Sequence, residues 1–336
     1  MTEAPYKASD NRYDTGMKYA RCGRSGILLP RISLGMWHNF GETSPLSRSK
    51  EILHYAFDNG IVSFDLANNY GPGYGTAEET FGYVFNKSFR PYRDEMFIAT
   101  KAGYDMWPGP YGNWGSRKYL TASLDQSLRR MGLEYVDVFY SHRYDPETPL
   151  EETLQALVDI VRRGKALYIG LSRWPDDATR FAFRYLRERD TPCLLFQDRY
   201  NMLDRTVADS GVLDTVAAGH SGFVAFSPLA QGLLTDRYID GIPEDSRASV
   251  GKFLKSSQIT PEYLRMIRGL GSIAATRGQT LAQMSLSWVL HDPRVTSVIV
   301  GCSSVGQLAD SIKAVGNLDF TPEQLSQIDS LTLGRR

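Results

Sequence analysis

The sequence predicts an α/β protein folded as a closed parallel (β/α)8 barrel, with a short N-terminal β-hairpin and one long loop after the seventh barrel strand. Three observations carry this. Eight short apolar runs rich in Val, Ile, Phe and Tyr recur along the chain, each followed by a longer stretch of helical period. Eight such units in series favour closure, because a barrel leaves no unpaired sheet edge. The 336 residues suit one barrel of roughly 250 residues with insertions.

In chain order, residues 1–16 are polar and aperiodic and read as a flexible tail, leaving 17–336 as a single domain. MKYARCGRSGILLP (17–30) reads as two extended stretches around a Gly-rich turn. The barrel strands are expected at ISLGM (32–36), IVSFD (61–65), MFIATK (96–101), VDVFYSH (136–142), ALYIGLS (166–172), CLLFQ (193–197), FVAFS (223–227) and VTSVIVG (295–301). Helices lie between them. One runs through Ile52, Leu53, Ala56 and Phe57 and stops at Gly60; another runs through Leu154, Leu157, Val158 and Val161 to Arg162, Arg163 and Gly164. From Leu229 to about Pro261 the seventh connection is long and rich in Gly, Pro and Asp, a size that points to function or disorder.

Composition removes several classes. With 38 basic against 38 acidic side chains the chain lacks the field that holds nucleic acid. No apolar run approaches the roughly 20 residues of a membrane span, and the N-terminus has no apolar core for a secretory signal. Three scattered cysteines and five separated histidines suit neither a disulfide framework nor a metal site. A reducing cytoplasm is the expected address, with no metal, nucleic acid or membrane partner.

Reactive groups of such barrels gather at the C-terminal strand ends. Here those ends carry Asp65 with Tyr70 in its loop, Lys101, His142, Ser172, Gln197, Phe226-Ser227 and Gly301-Cys302-Ser303. Each alone is weak: an Asp after a strand is often a turn residue, and the chain has 19 tyrosines. Together, a phenol, an ammonium, a carboxylate and an imidazole make a proton-transfer device. The ammonium is expected to lower the phenol from its usual pKa of about 10, and the imidazole to orient a carbonyl oxygen. Such a device needs a hydride, which no side chain supplies. Ser172 and Gln197 suit a carboxamide, Phe226 a stacked nicotinamide, and Arg237 and Arg247 a pyrophosphate or ribose phosphate. GCSSVGQLADSI, from Gly301, offers backbone N–H groups at a helix start. GPGYGTAE fails as a dinucleotide fingerprint because Thr76 stands where a third glycine belongs, and no phosphate loop or G-x-S-x-G elbow is present.

These residues resemble the aldo-keto reductase superfamily from about Met17 to Leu333, through GIVSFDLANNYG (60–71), FIATKAG (97–103), DVFYSHR (137–143), GLSRW (170–174), FSPLAQGLLT (226–235) and IVGCSSVGQLADSI (299–312). The wording is most similar to the bacterial L-glyceraldehyde 3-phosphate reductases, in the potassium-channel β-subunit branch. The resemblance implies Tyr70 as general acid, supported by Asp65, Lys101 and His142. It implies Trp37 beside nicotinamide and substrate, with Tyr70 and His142. It assigns Ser227, Leu229, Gln231 and Gly232 to a pyrophosphate strap with Arg237 and Arg247 as its clamps, and Ser303, Gln307, Asp310 and Ser311 to the adenosine end. Trp107, Tyr111 and Trp114 are expected to wall the substrate side. The implied activity is NADP(H)-dependent reduction of small aldehydes such as glyceraldehyde 3-phosphate or methylglyoxal, by a homo-oligomer of four or more chains. The sequence departs from many relatives at Arg173, usually Asn; at Ser304 and Gln307, near the expected 2′-phosphate; and at Phe226, commonly Tyr or Trp. Two other readings are a cofactor-sensing regulatory subunit and a barrel isomerase or lyase forming a Schiff base at Lys101.

Overall fold

Two antiparallel strands, β1 (Tyr19–Arg21) and β2 (Leu28–Pro30), precede eight parallel ones: β3 (Ile32–Gly35), β4 (Ser63–Asp65), β5 (Phe97–Ala102), β6 (Val136–Ser141), β7 (Ala166–Ser172), β8 (Cys193–Arg199), β9 (Gly222–Phe226) and β10 (Val295–Val300). The eight hydrogen-bond in chain order, and β10 pairs back onto β3 to close the barrel. Every barrel strand lies within two residues of its apolar run. The computed structural model describes residues 5–244, 246, 249, 251 and 254–333.

Pleating explains why the strand ends converge. Phe97, Ala99, Val138, Tyr140, Leu195, Val224 and Ile299 form the interior of the barrel, and Cys22 and Leu29 of the hairpin pack against them. Intervening residues such as Ile98, Phe139, Phe196 and Val298 instead join the larger core shared with the helices. A period of two then makes Lys101 the inward residue after Ala99, His142 the one after Tyr140, Gln197 the one after Leu195 and Phe226 the one after Val224. Tyr140 can fill the interior because Gly170 faces it: a Cβ there would lie 2.2 Å from the ring. Apolar residues therefore occupy the depth of the barrel and polar ones its mouth.

The two helices read from periodicity span Leu46–Asp58 and Leu150–Arg162, each followed by a left-handed glycine, Gly60 and Gly164. One region differs from expectation. Residues 5–16 do not form a loose tail: Tyr6 stacks on His54 at 3.8 Å and donates to Asp58 (2.7 Å), Ala8 is buried, and Arg12 pairs with Glu95 (2.6 Å). A short polar segment carries no period by which such distant contacts can be read. The described residues of the connection after β9 carry regular structure, in keeping with the functional reading of its length. They contain 3-10 turns at Ala230–Gly232, Asp236–Tyr238 and Ser256–Gln258, and they bury Leu234, Tyr238 and Leu254. Arg247 lies outside the described residues.

Candidate active site

Lys101, the last but one residue of β5, is fully buried, and its ammonium donates to three oxygens. Asp65 Oδ2 is 2.6 Å away, the Leu66 carbonyl 2.7 Å and the Tyr70 hydroxyl 3.4 Å. Three N–H groups and three acceptors satisfy the cation. A nitrogen spent this way has no lone pair to attack a carbonyl, which argues against the Schiff-base reading. Asp65 is held from both sides, because its Oδ1 accepts from Gln197 Nε2 at 2.9 Å. Sequence reasoning placed Gln197 at the mouth but missed this bond, which only the approach of β8 to β4 across the barrel creates.

The loop carrying Tyr70 is built by backbone pairing. Leu66 N–H donates to Ala99 O, Asn68 N–H to Lys101 O and Gly71 N–H to Trp37 O, each at 2.9 Å. Gly71 adopts φ +96°, and a Cβ there would meet Thr76 Oγ1 at 2.3 Å, so the turn beside the phenol requires glycine. Glu78, buried beneath this loop, bonds Thr100 and pairs with Arg130 at 2.7 Å, tying the following helix to β5.

Electrostatics set the protonation states. Burial, then the nearby Asp65 carboxylate and Tyr104, push the Tyr70 phenol well above its ordinary value. The expected lowering by Lys101 is thus corrected: withdrawing the phenol from water outweighs the 3.4 Å ammonium, and Tyr70 stays a proton donor at neutral pH. Burial also lowers the Lys101 ammonium, with Asp65 pulling the other way. His142 lies edge-on to Tyr70 (ring centroids 5.6 Å) and to Tyr104 (4.7 Å). Burial first, then Lys101, Arg173 and Arg143, hold its imidazole well below the usual range, so it is neutral at pH 7. Its Nδ1 is buried without a hydrogen-bond partner. A neutral imidazole and a protonated phenol beside an ammonium can together bind a carbonyl oxygen and protonate it as charge develops there.

The remaining predicted residues fall into two groups. Trp37 is half-buried at the end of β3, and Ser172 is buried in register with Gln197. Phe226 is half-buried, with the Arg199 guanidinium 5.8 Å from its ring. Trp107 packs on Tyr119 at 5.1 Å and, with Tyr74, Met106 and Trp114, lines a cavity of about 580 Å³; Tyr111 lies outside that lining, under Lys118. Past β9, Ser227, Ala230, Gln231 and Gly232 all have positive φ, Asn201 Nδ2 donates to Ser227 O (3.0 Å), and Gln231 Oε1 is buried without a partner. In that run, which contains Leu229, the Gln231 oxygen is left without a donor. Arg237 lies exposed in the turn that follows. Beyond β10 and Gly301, Gln307 Oε1 accepts from Ser303 N–H and Oγ–H (2.9 and 3.1 Å), and Ser304 caps the helix Val305–Ile312. Asp310 and Ser311 are engaged inside the fold, Asp310 by Gln283 (2.6 Å) and Thr280, Ser311 by Gln307 O (2.9 Å). Two site residues escaped the sequence reading, Tyr104 and Arg143, and Arg173 entered it only as a departure from the usual Asn. The signal available was adjacency, since Arg143 follows His142 and Arg173 follows Ser172.

The aldo/keto reductase profile matches residues 31–332, and the chain belongs to that family. It is 53% identical over 326 residues to the L-glyceraldehyde 3-phosphate reductase of Escherichia coli K12, covering 96% of this chain and 94% of that enzyme. Similarity also extends to a probable voltage-gated potassium channel subunit beta of Oryza sativa subsp. japonica (33%, covering 94% of this chain and 96% of that protein). A putative channel subunit beta of Schizosaccharomyces pombe is 35% identical, with 92% and 91% covered. Among the described residues no helix is long and apolar enough to cross a membrane, and no cluster of His, Cys, Asp and Glu could hold a metal ion.

Proposed function

We propose that the protein is an NADPH-dependent reductase of small aldehydes, with glyceraldehyde 3-phosphate and methylglyoxal as first candidates, in which Tyr70 is the general acid. The observation that carries this reading is the buried line Asp65–Lys101–Tyr70 with neutral His142 against it. The printed name of the 53% identical relative supports the phosphorylated substrate. When bound, a reduced nicotinamide supplies the hydride. His142 then orients the carbonyl oxygen, Tyr70 gives it a proton, and Lys101, fixed by Asp65, stabilises the phenolate left behind. Trp37 and Trp107 restrict water beside the reacting carbon.

The residues present fit a dinucleotide. Gln231, with its unpartnered buried oxygen, forms the strap with Ser227, Leu229 and Gly232, and Arg237 neutralises phosphate, a role the sequence also gives Arg247, outside the described residues. Ser172 and Gln197 hold the carboxamide beside the Phe226 ring, while Gly301, Ser303 and Gln307 offer polar groups to the adenosine end, with Asp310 and Ser311 behind them. We read the protein as a cytoplasmic homo-oligomer of at least four chains, which sedimentation tests.

Greater identity to the reductase than to the channel subunits favours catalysis over a purely regulatory role. Assaying an aldehyde panel with NADPH and NADH in parallel decides the matter. Turnover with NADPH on three-carbon aldehydes is expected; absence of turnover with either dinucleotide would overturn the reading.

A further inference from the structure

Two arginines stand at the mouth, Arg143 and Arg173. Arg143, directly after His142, donates from Nε to Gly103 O and from Nη2 to Asn113 Oδ1, both at 2.7 Å. Its guanidinium lies 3.6 Å from the Trp114 ring centroid and 4.3 Å from that of Tyr104. Arg173 follows Ser172 at the end of β7 and donates from Nη1 to the Tyr104 hydroxyl at 2.9 Å. Because Tyr104 follows β5 and Arg173 follows β7, this bond spans the end of β6, where His142 sits. One phenol thus carries both guanidinium groups, and its ring stands edge-on to the imidazole at 4.7 Å.

Neither arginine forms an ion pair with a carboxylate among the described residues, whereas Arg12, Arg93, Arg117, Arg130, Arg205 and Arg294 all do. Among the described residues the hydrogen-bond and ring partners of Arg143 and Arg173 are neutral (two amide oxygens, a phenol and two aromatic faces), and the one carboxyl that feels the Arg173 charge, Asp198, makes no ion pair with it. Arg173 also holds a left-handed backbone (φ +56°), costly for an arginine, with its N–H bonded to Gln197 O at 3.2 Å. Having accepted from Arg173, the Tyr104 hydroxyl keeps its own proton to donate. Two guanidinium forks with no ion-paired carboxylate, and a hydroxyl beside the carbonyl-binding groups, are a donor set for an oxyanion.

We propose that Arg173, Arg143 and the Tyr104 hydroxyl form an anion subsite that receives the phosphate of a short phosphorylated aldehyde whose carbonyl lies against Tyr70 and His142. This rests on the reductase reading and assigns its specificity to the rim. Arg173 is exposed, so its replacement leaves the core packing intact.

The test compares wild type with Arg173→Gln. The first arm measures kcat/KM for glyceraldehyde 3-phosphate and for glyceraldehyde with NADPH, and takes their ratio, which cancels any effect on the dinucleotide. A fall of that ratio by tenfold or more, carried by KM, is expected; an equal change for both aldehydes would overturn the subsite. The second arm needs no turnover. Fluorescence of Trp114, against Arg143, is titrated with glycerol 3-phosphate in excess NADP. Saturable binding weakened at least tenfold in Arg173→Gln supports the subsite, and unchanged or absent binding refutes it. Should neither aldehyde react, the reductase reading falls while the second arm still decides the anion site.

Discussion

The floor and the rim of the barrel mouth solve opposite problems. On the floor, Lys101, Asp65 and Gln197 are almost wholly buried, and each bonds to a fixed partner on a neighbouring or facing strand. At the rim, Tyr104, Arg143 and Arg173 sit on loops and are partly or fully exposed, and the two arginines donate their hydrogen bonds to neutral groups. Burying a charge without a counter-ion is costly, so the floor must be saturated to fold at all. Rim cations pay no such penalty because water solvates them, and they can wait for an anionic ligand. Saturated polar groups therefore sit on strands, and the solvated cations on loops.

Several experiments break or sharpen this contrast. The largest effect belongs to Tyr70→Phe, which removes the proton donor but keeps the ring. Reduction should fall roughly 10²–10⁴-fold, as expected for loss of a general acid, while titration still detects dinucleotide binding. Unchanged turnover would exclude Tyr70 from the chemistry. Next comes Asp65→Asn, which strands the buried Lys101 ammonium. Chemical denaturation should record a loss of about 3–5 kcal/mol, against under about 0.5 kcal/mol for Arg173→Gln at the exposed rim. Equal losses at the two positions would erase the distinction drawn here.

Two pH measurements are gentler. The Tyr70 phenol is raised above its ordinary value by burial, so it stays protonated through the neutral and mildly alkaline range. The rate of reduction should accordingly show no alkaline limb from Tyr70 below about pH 10, whereas alcohol oxidation, which needs the phenolate, should climb with pH. His142 gives the smallest signal. Its folded pKa lies below the unfolded value of about 6.5, so on acidification the unfolded chain takes up a proton before the folded one does. Stability from this group is present above pH 6.5 and declines as pH falls toward the folded value. Thermal melts of wild type and His142→Gln across pH 5–7 should therefore differ in slope, the wild type losing more on the acid side.

Much of the fold is legible in neighbouring residues. Runs such as MFIATK and VDVFYSH announce strands, and alternation within them already aims Lys101 and His142 at the same mouth as Tyr140 and Ala99 fill the depth. The packed segment 5–16 was not legible, because Tyr6 finds His54 and Asp58 only once the first long helix is in place. Nor was the protonation of Tyr70, since its sign follows from how completely the barrel excludes water, a property of the whole enclosure.

Periodicity along the chain dictated eight strand–helix units, their order and the residues at their ends, because side-chain direction in a strand depends on the backbone of that strand alone. Closure decided the rest: that Gln197 reaches Asp65 across the mouth, that Arg173 spans the imidazole to reach Tyr104, and that the phenol keeps its proton. Those outcomes depend on distances between strands far apart in sequence and on a shared dielectric, and neither exists until the ring of strands is complete.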